Sequence, residues 1–251
     1  MYRPRIIPVL LLKKNGLVKS VQFKNHQYIG DPINAVKIFN DFKADELVFL
    51  DILATKESRL ISLEFVRHVG EEANMPFAVG GGIKSIKDIQ DVITSGAEKV
   101  VIGSEAVKNP NFIKKAADYF GSSTITVCVD VKKNIFKGDR VWSLNGTKLS
   151  NYKPDEFALL MQEKGAGEII IQSISNDGEM NGYNISLIKK ISSQVKIPVV
   201  ALGGAGNLND SKEGYNNGYA NGLAAGSIFV YQNKMRGVLI NYPEKEKKII
   251  Y

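Results

Sequence analysis

Asp130 stands near the C-terminal end of an apolar run, residues 124–133, whose β-branched composition reads as a buried strand that delivers one carboxylate. A carboxylate in that position suits general acid or base chemistry, and suits a helix cap or an ion pair equally well. Residues 6–14, one residue shorter, end in the same Lys-Lys, but Leu11 occupies the place that corresponds to Asp130. Asp51, at the end of another apolar run, is a weaker candidate of the same kind. Two glycine clusters accompany these strands. Gly80, Gly81 and Gly82 are followed by Gly103 and Ser104, and Gly203, Gly204 and Gly206 by Gly226 and Ser227, with Asp177 and Gly178 in the loop beside the second cluster. Glycine lets several backbone N–H groups converge on a phosphate oxyanion, although the same pattern also serves tight strand-to-helix turns. Its appearance at two matched places points to a ligand with two phosphates.

The elements that must position these residues alternate between strand and helix throughout. Strand patterns at 6–14, 46–51, 75–79, 99–102, 124–133, 168–173, 197–201 and 222–225 are separated by segments with helical spacing. Glu46 and Glu168, Pro76 and Pro198, Gly81 and Gly203, and Gly96 and Gly218 are all related by an offset of 122 residues. Two four-strand βα units give eight parallel strands, so the expected fold class is α/β, a (β/α)8 barrel over residues 1–251 with half-barrels of about 1–120 and 121–251. An open doubly wound sheet is the rival. In the barrel, Leu11, Asp51, Gly81, Ser104, Asp130, Ser173, Gly204 and Ser227 are expected to face one mouth. Arg5, Glu46, Lys99 and Glu168 then begin strands at the opposite end, where they would form a ring of two cations and two anions. Residues 13–30, with Lys19, His26 and Tyr28, read as a long polar loop of the functional or mobile kind, and 134–151 as a hairpin-like insertion around Trp142.

Composition narrows the partners. The formal charge of +7 favours an anionic ligand, but the lysines are scattered and no nucleic-acid motif is present. A single cysteine, Cys128, supports neither a disulfide framework nor a thiolate metal site, and His26 and His68 lie in unrelated segments, so neither a metal nor another cofactor is expected. The apolar run near the N-terminus is too short for an ordinary signal peptide or a spanning helix, which makes a cytoplasmic protein the expectation.

Together, Arg5-Ile6-Ile7, Gly30-Asp31-Pro32, Asp45 through Ile52, Val79 through Ile83, Gly165 through Ile169 and Gly203 through Gly206 resemble the cyclase (HisF-type) subunit of imidazole glycerol phosphate synthase over nearly the whole chain. The resemblance implies a duplicated TIM barrel, a two-phosphate ribonucleotide substrate, and ammonia supplied by a glutaminase subunit docked on the barrel's bottom. It also implies that Arg5, Glu46, Lys99 and Glu168 gate an ammonia passage, that Lys19 belongs to a mobile loop, and that Asp130 is one of two catalytic aspartates. The other position holds Leu11. Gly103 and Gln172-Ser173 also depart from the family pattern. A lost acid with a retained gate is similar to HisF-type paralogues of surface-sugar biosynthesis, which feed ammonia to an ATP-dependent enzyme that amidates a sugar. A histidine-pathway cyclase and a phosphosugar isomerase on the same fold are the alternatives.

Overall fold

The computed structural model describes residues 3–14, 16–232 and 237–243. Strand β1 (Arg5–Lys13) turns back into β2 (Gly16–Val21), which pairs with β3 (Lys24–Gly30). The stretch expected to be a polar loop is therefore a pair of antiparallel strands. Its polarity misled because β3 lies mostly exposed, while Leu17 and Val18 on β2 are buried. Asp31 then caps α1 (Pro32–Asp41), its carboxylate accepting from the Asn34 N–H at 2.8 Å, and proline occupies the first turn, where no N–H is required.

Strand and helix alternate from there: β4 (Leu47–Asp51), α2 (Leu63–Glu72), β5 (Phe77–Gly80), α3 (Ile86–Thr94) and β6 (Lys99–Ile102). Ser85 and Asp88 form a reciprocal capping box at the start of α3. Two helices follow, α4 (Ser104–Lys108) and α5 (Pro110–Phe120), before the long strand β7 (Ile125–Asn134). The expected insertion folds as β8 (Gly138–Ser143) and β9 (Lys148–Leu149), laid antiparallel on the end of β7. The remainder is α6 (Pro154–Glu163), β10 (Glu168–Ser173), α7 (Ile185–Ser192), β11 (Val199–Leu202), α8 (Leu208–Asn216), β12 (Gly222–Ala225) and α9 (Ser227–Val230).

Eight of these strands are mutually parallel and closed. The order runs β10, β11, β12, β1, β4, β5, β6, β7, and β7 pairs back to β10, so no barrel edge remains. Closure sorts side chains by parity, because successive residues of a strand point to opposite faces. Ile7, Val9, Val48, Ala78, Val101, Ile170, Val200 and Ala224 pack in the interior, while alternate residues such as Phe49, Val79, Val127 and Ile171 pack outward under the helices. Register also relates the two halves. Leu11 pairs with Leu50 and Asp130 with Gln172, and the two partners stand at the same 122-residue offset seen in the sequence.

The outer layer depends on aromatic packing. Phe49 is fully buried and meets Phe65 and Phe77 edge-on at 5.4 and 6.4 Å between ring centroids. Phe49→Ala should lower stability by about 3–5 kcal/mol, read as a shift of the urea midpoint at unchanged slope.

Candidate functional site

The C-terminal ends of the barrel strands open into a cavity of about 940 Å³. Its floor is divided chemically. Leu11 and Leu50 make the wall from the first half, whereas Asp130 and Gln172 make the matching wall from the second. Lys13, Lys56, Arg59, Lys84 and Lys148 stand around it and give the cavity a cationic rim.

Asp130 has one described side-chain partner, the Cys128 thiol, whose sulfur lies 3.7 Å from Oδ1. Burial raises its carboxyl, the thiol draws it down somewhat, and the negative charge of Asp177 raises it again, to about 7. A carboxyl with that pKa exchanges protons readily near neutrality. Leu11 cannot. Lys19 folds inward from β2, is 6% exposed, and donates from Nζ to the Val9 carbonyl at 2.8 Å. Burial lowers its ammonium to about 8 against the opposing pull of Asp177. It rests directly on Gly226, where a Cβ would overlap Nζ.

The two halves of the mouth are roofed by hairpins. Gln22 and Phe23 form the β2–β3 turn, with the Gln22 N–H donating to the Asp177 carbonyl at 2.9 Å and the Gln22 amide to Glu179 at 3.0 Å. From the opposite side, the turn after β8 sends the Leu144 N–H to the Ser104 hydroxyl at 3.0 Å and brings Gly146 against Phe23. Both turns contain non-glycine residues with positive φ, so contacts across the roof offset an unfavourable backbone.

The proposed phosphate residues are accordingly split. Gly81, Gly82, Gly103 and Ser104 line one side of the cavity, and Gly178, Gly203, Gly204, Gly226 and Ser227 the other. Some glycines answer first to packing. A Cβ on Gly82, at φ +71°, would overlap the Arg59 carbonyl, and one on Gly204, at φ +114°, the Gly182 carbonyl. Asp177 lines the cavity but its carboxylate is used as a latch: it accepts from Ser20 at 3.1 Å and from Gln172 Nε2 at 3.2 Å. Burial raises its pKa, while Lys19 lowers it.

Two expectations need correction. Asp51 lines the mouth but is committed to structure, accepting from Leu53 N and Ala54 N at 2.9 and 3.1 Å and pairing with Arg59 at 2.6 Å. Ser173 does not face the mouth. Its hydroxyl lies 2.7 Å from Asn176 Oδ1, and Gln172 takes the inward place. Counting by twos from the inward Glu168 would have found Gln172.

At the other end of the barrel, Arg5 bridges Glu46 and Glu168, and Lys99 reaches the same carboxylates at 3.0 and 3.4 Å. Each charge therefore has two opposite neighbours. Burial alone would lower the Arg5 pKa, but attraction by Glu168 and Glu46 prevails and raises it.

The family described as "Histidine biosynthesis protein" matches residues 5–236. A Leptospira interrogans protein, provisionally named imidazole glycerol phosphate synthase subunit HisF, is 42% identical over 249 residues, covering 99% of this chain and 98% of its own. A Pseudomonas aeruginosa protein, provisionally named as subunit hisF2 of that synthase, is 41% identical over 247 residues, covering 98% of each. The Alkaliphilus metalliredigens imidazole glycerol phosphate synthase subunit HisF is 40% identical over 231 residues, covering 92% of each.

The raised Asp130 carboxyl carries a sign. The folded protein keeps this proton to about pH 7, while an unperturbed aspartate releases it near 3.8, so Asp130 makes folding less favourable as pH rises between those values. Asp130→Asn should therefore unfold later than the parent at pH 8, by roughly 1–3 kcal/mol, with the gap closing toward pH 4 in denaturant titrations.

Proposed function

Since the chain belongs to the HisF-type family of imidazole glycerol phosphate synthase subunits, we propose that it receives ammonia from a glutaminase subunit docked at the barrel floor and passes it through the interior to the mouth. The ion ring supports this reading. A small neutral molecule can pass apolar walls such as Val48, Ala78, Val101 and Val200, whereas a bare ammonium would pay heavily in lost hydration. Lys99 makes the longest contact of the ring, 3.4 Å to Glu168, and is the natural side to open.

The observation that carries the finer reading is the pairing of Leu11 with Leu50 where the second half sets Asp130 beside Gln172. One of the two acid–base groups of family chemistry is therefore missing from the mouth. Loss of such a group typically lowers rate by ~10²–10⁴-fold. We infer a conduit and docking subunit whose ammonia goes to a separate ATP-dependent enzyme that amidates a sugar in surface-polysaccharide biosynthesis. The cationic rim and the buried Lys19 suit a phosphorylated ligand at the mouth.

A second reading has its own support. Asp130, with a pKa of about 7, and the retained Lys19 suit residual cyclase chemistry on a bis-phosphate ribonucleotide.

Turnover of the formimino ribonucleotide with excess ammonium separates the two. The conduit reading expects a rate at least ~10²-fold below a competent cyclase and a gain from Leu11→Asp; a rate comparable to the competent enzyme sinks it. Arg5→Ala and Lys99→Ala should change glutamine-fed amidation while leaving ammonium-fed amidation near the parent rate. Equal loss in both assays would reject the gate.

A further inference from the structure

Among the described residues, the buried side-chain atoms without a hydrogen-bond partner include two in the barrel wall, Thr126 Oγ1 and Gln172 Oε1. They belong to neighbouring strands. Thr126 pairs in register with Glu168 of the ion ring, and Gln172 pairs with Asp130 at the mouth. Thr126 is 1% exposed and Gln172 4%, so bulk water does not satisfy either.

Parity places both in the interior. Thr126 shares its face of β7 with Cys128 and Asp130, and Gln172 shares its face of β10 with Glu168 and Ile170. The amide of Gln172 is oriented by donation from Nε2 to Asp177, which leaves the carbonyl oxygen as a free acceptor beside Asp130. The hydroxyl of Thr126 offers both a donor and an acceptor. Other strands contribute Val48, Ala78, Val101, Val200 and Ala224 to the interior, side chains with no hydrogen-bonding group. Buried polar atoms left open in this way are where small polar molecules bind.

We propose that the seam between β7 and β10 is a hydrogen-bonding track for ammonia, with the Thr126 hydroxyl as its inner station above the ion ring and the Gln172 carbonyl beside Asp130 as its outer station. The identity of the passenger rests on the ammonia-delivery reading; the stations rest on the two open atoms. Thr126 and Asp130 stand four residue steps apart on the strand, about 13 Å, and Cys128 lies between them on the same face. Ammonia donates to Gln172 Oε1 and Thr126 Oγ1 and accepts from the threonine O–H, so it can stay neutral along the seam.

The test has two parts. A crystal structure of the full chain should hold ordered solvent, the stand-in for ammonia, within about 3.2 Å of both atoms, and Thr126→Val should lose it at the inner one. A Thr126 hydroxyl bonded to a backbone carbonyl with no solvent beside it would overturn the track. With the glutaminase and the sugar-amidating enzyme reconstituted, amide-¹⁵N glutamine is then supplied against ¹⁴N ammonium. The glutamine-derived share of product nitrogen should fall at least threefold in Thr126→Val and be kept in Thr126→Ser. A wild-type product drawn from bulk ammonium overturns the delivery reading and the passenger together. A glutamine-fed wild type with an indifferent Thr126→Val variant overturns the track alone.

Discussion

The closed ring of Arg5, Glu46, Lys99 and Glu168 is the constraint on which the rest of the barrel depends. Charges taken out of water are tolerated only when their partners are fixed, and removing one partner from such a pair commonly costs about 3–5 kcal/mol. The four residues begin or immediately precede strands β1, β4, β6 and β10, so their mutual pairing holds together segments far apart in the chain. The same ring lies across the barrel at the N-terminal ends of those strands.

Above the ring the interior is mostly aliphatic, and its polar groups are concentrated on two adjacent strands. That asymmetry repeats at the mouth, where a leucine wall faces a carboxyl and an amide. Burial keeps the Asp130 carboxyl near half-ionised at neutral pH and weakens the Lys19 ammonium, so both groups are poised to respond to a charged ligand. Asp177 serves both ends of this arrangement. Its backbone and carboxylate hold the β2–β3 turn over the cavity, and its side chain fixes the orientation of Gln172.

The proposed division of labour follows from what this architecture keeps and what it drops. The floor ring, the glycine turns and Lys19 are in place, and strand β1 presents Leu11 to the mouth. A conduit needs a sealed wall and a gate, both of which are properties of packing. In the reading proposed above, cyclase chemistry uses two proton-transfer groups, and Leu11 supplies neither donor nor acceptor.

The sequence by itself determined the alternation of strands and helices, the 122-residue repeat and the matched places of Leu11 and Asp130, because each is a local pattern or a spacing. It misread residues 13–30, since a hairpin whose outer strand is exposed has no apolar alternation to reveal it. It also assigned Ser173 to the mouth and left Asp51 open as an acid, because neither inward parity nor the reach of Arg59 is a sequence pattern. Tertiary structure decided these points. Closing the barrel brought Glu168 to Arg5 and Thr126 to Glu168 and left the Thr126 hydroxyl without a partner among the described residues, since only the register between distant strands determines what a buried polar atom can reach.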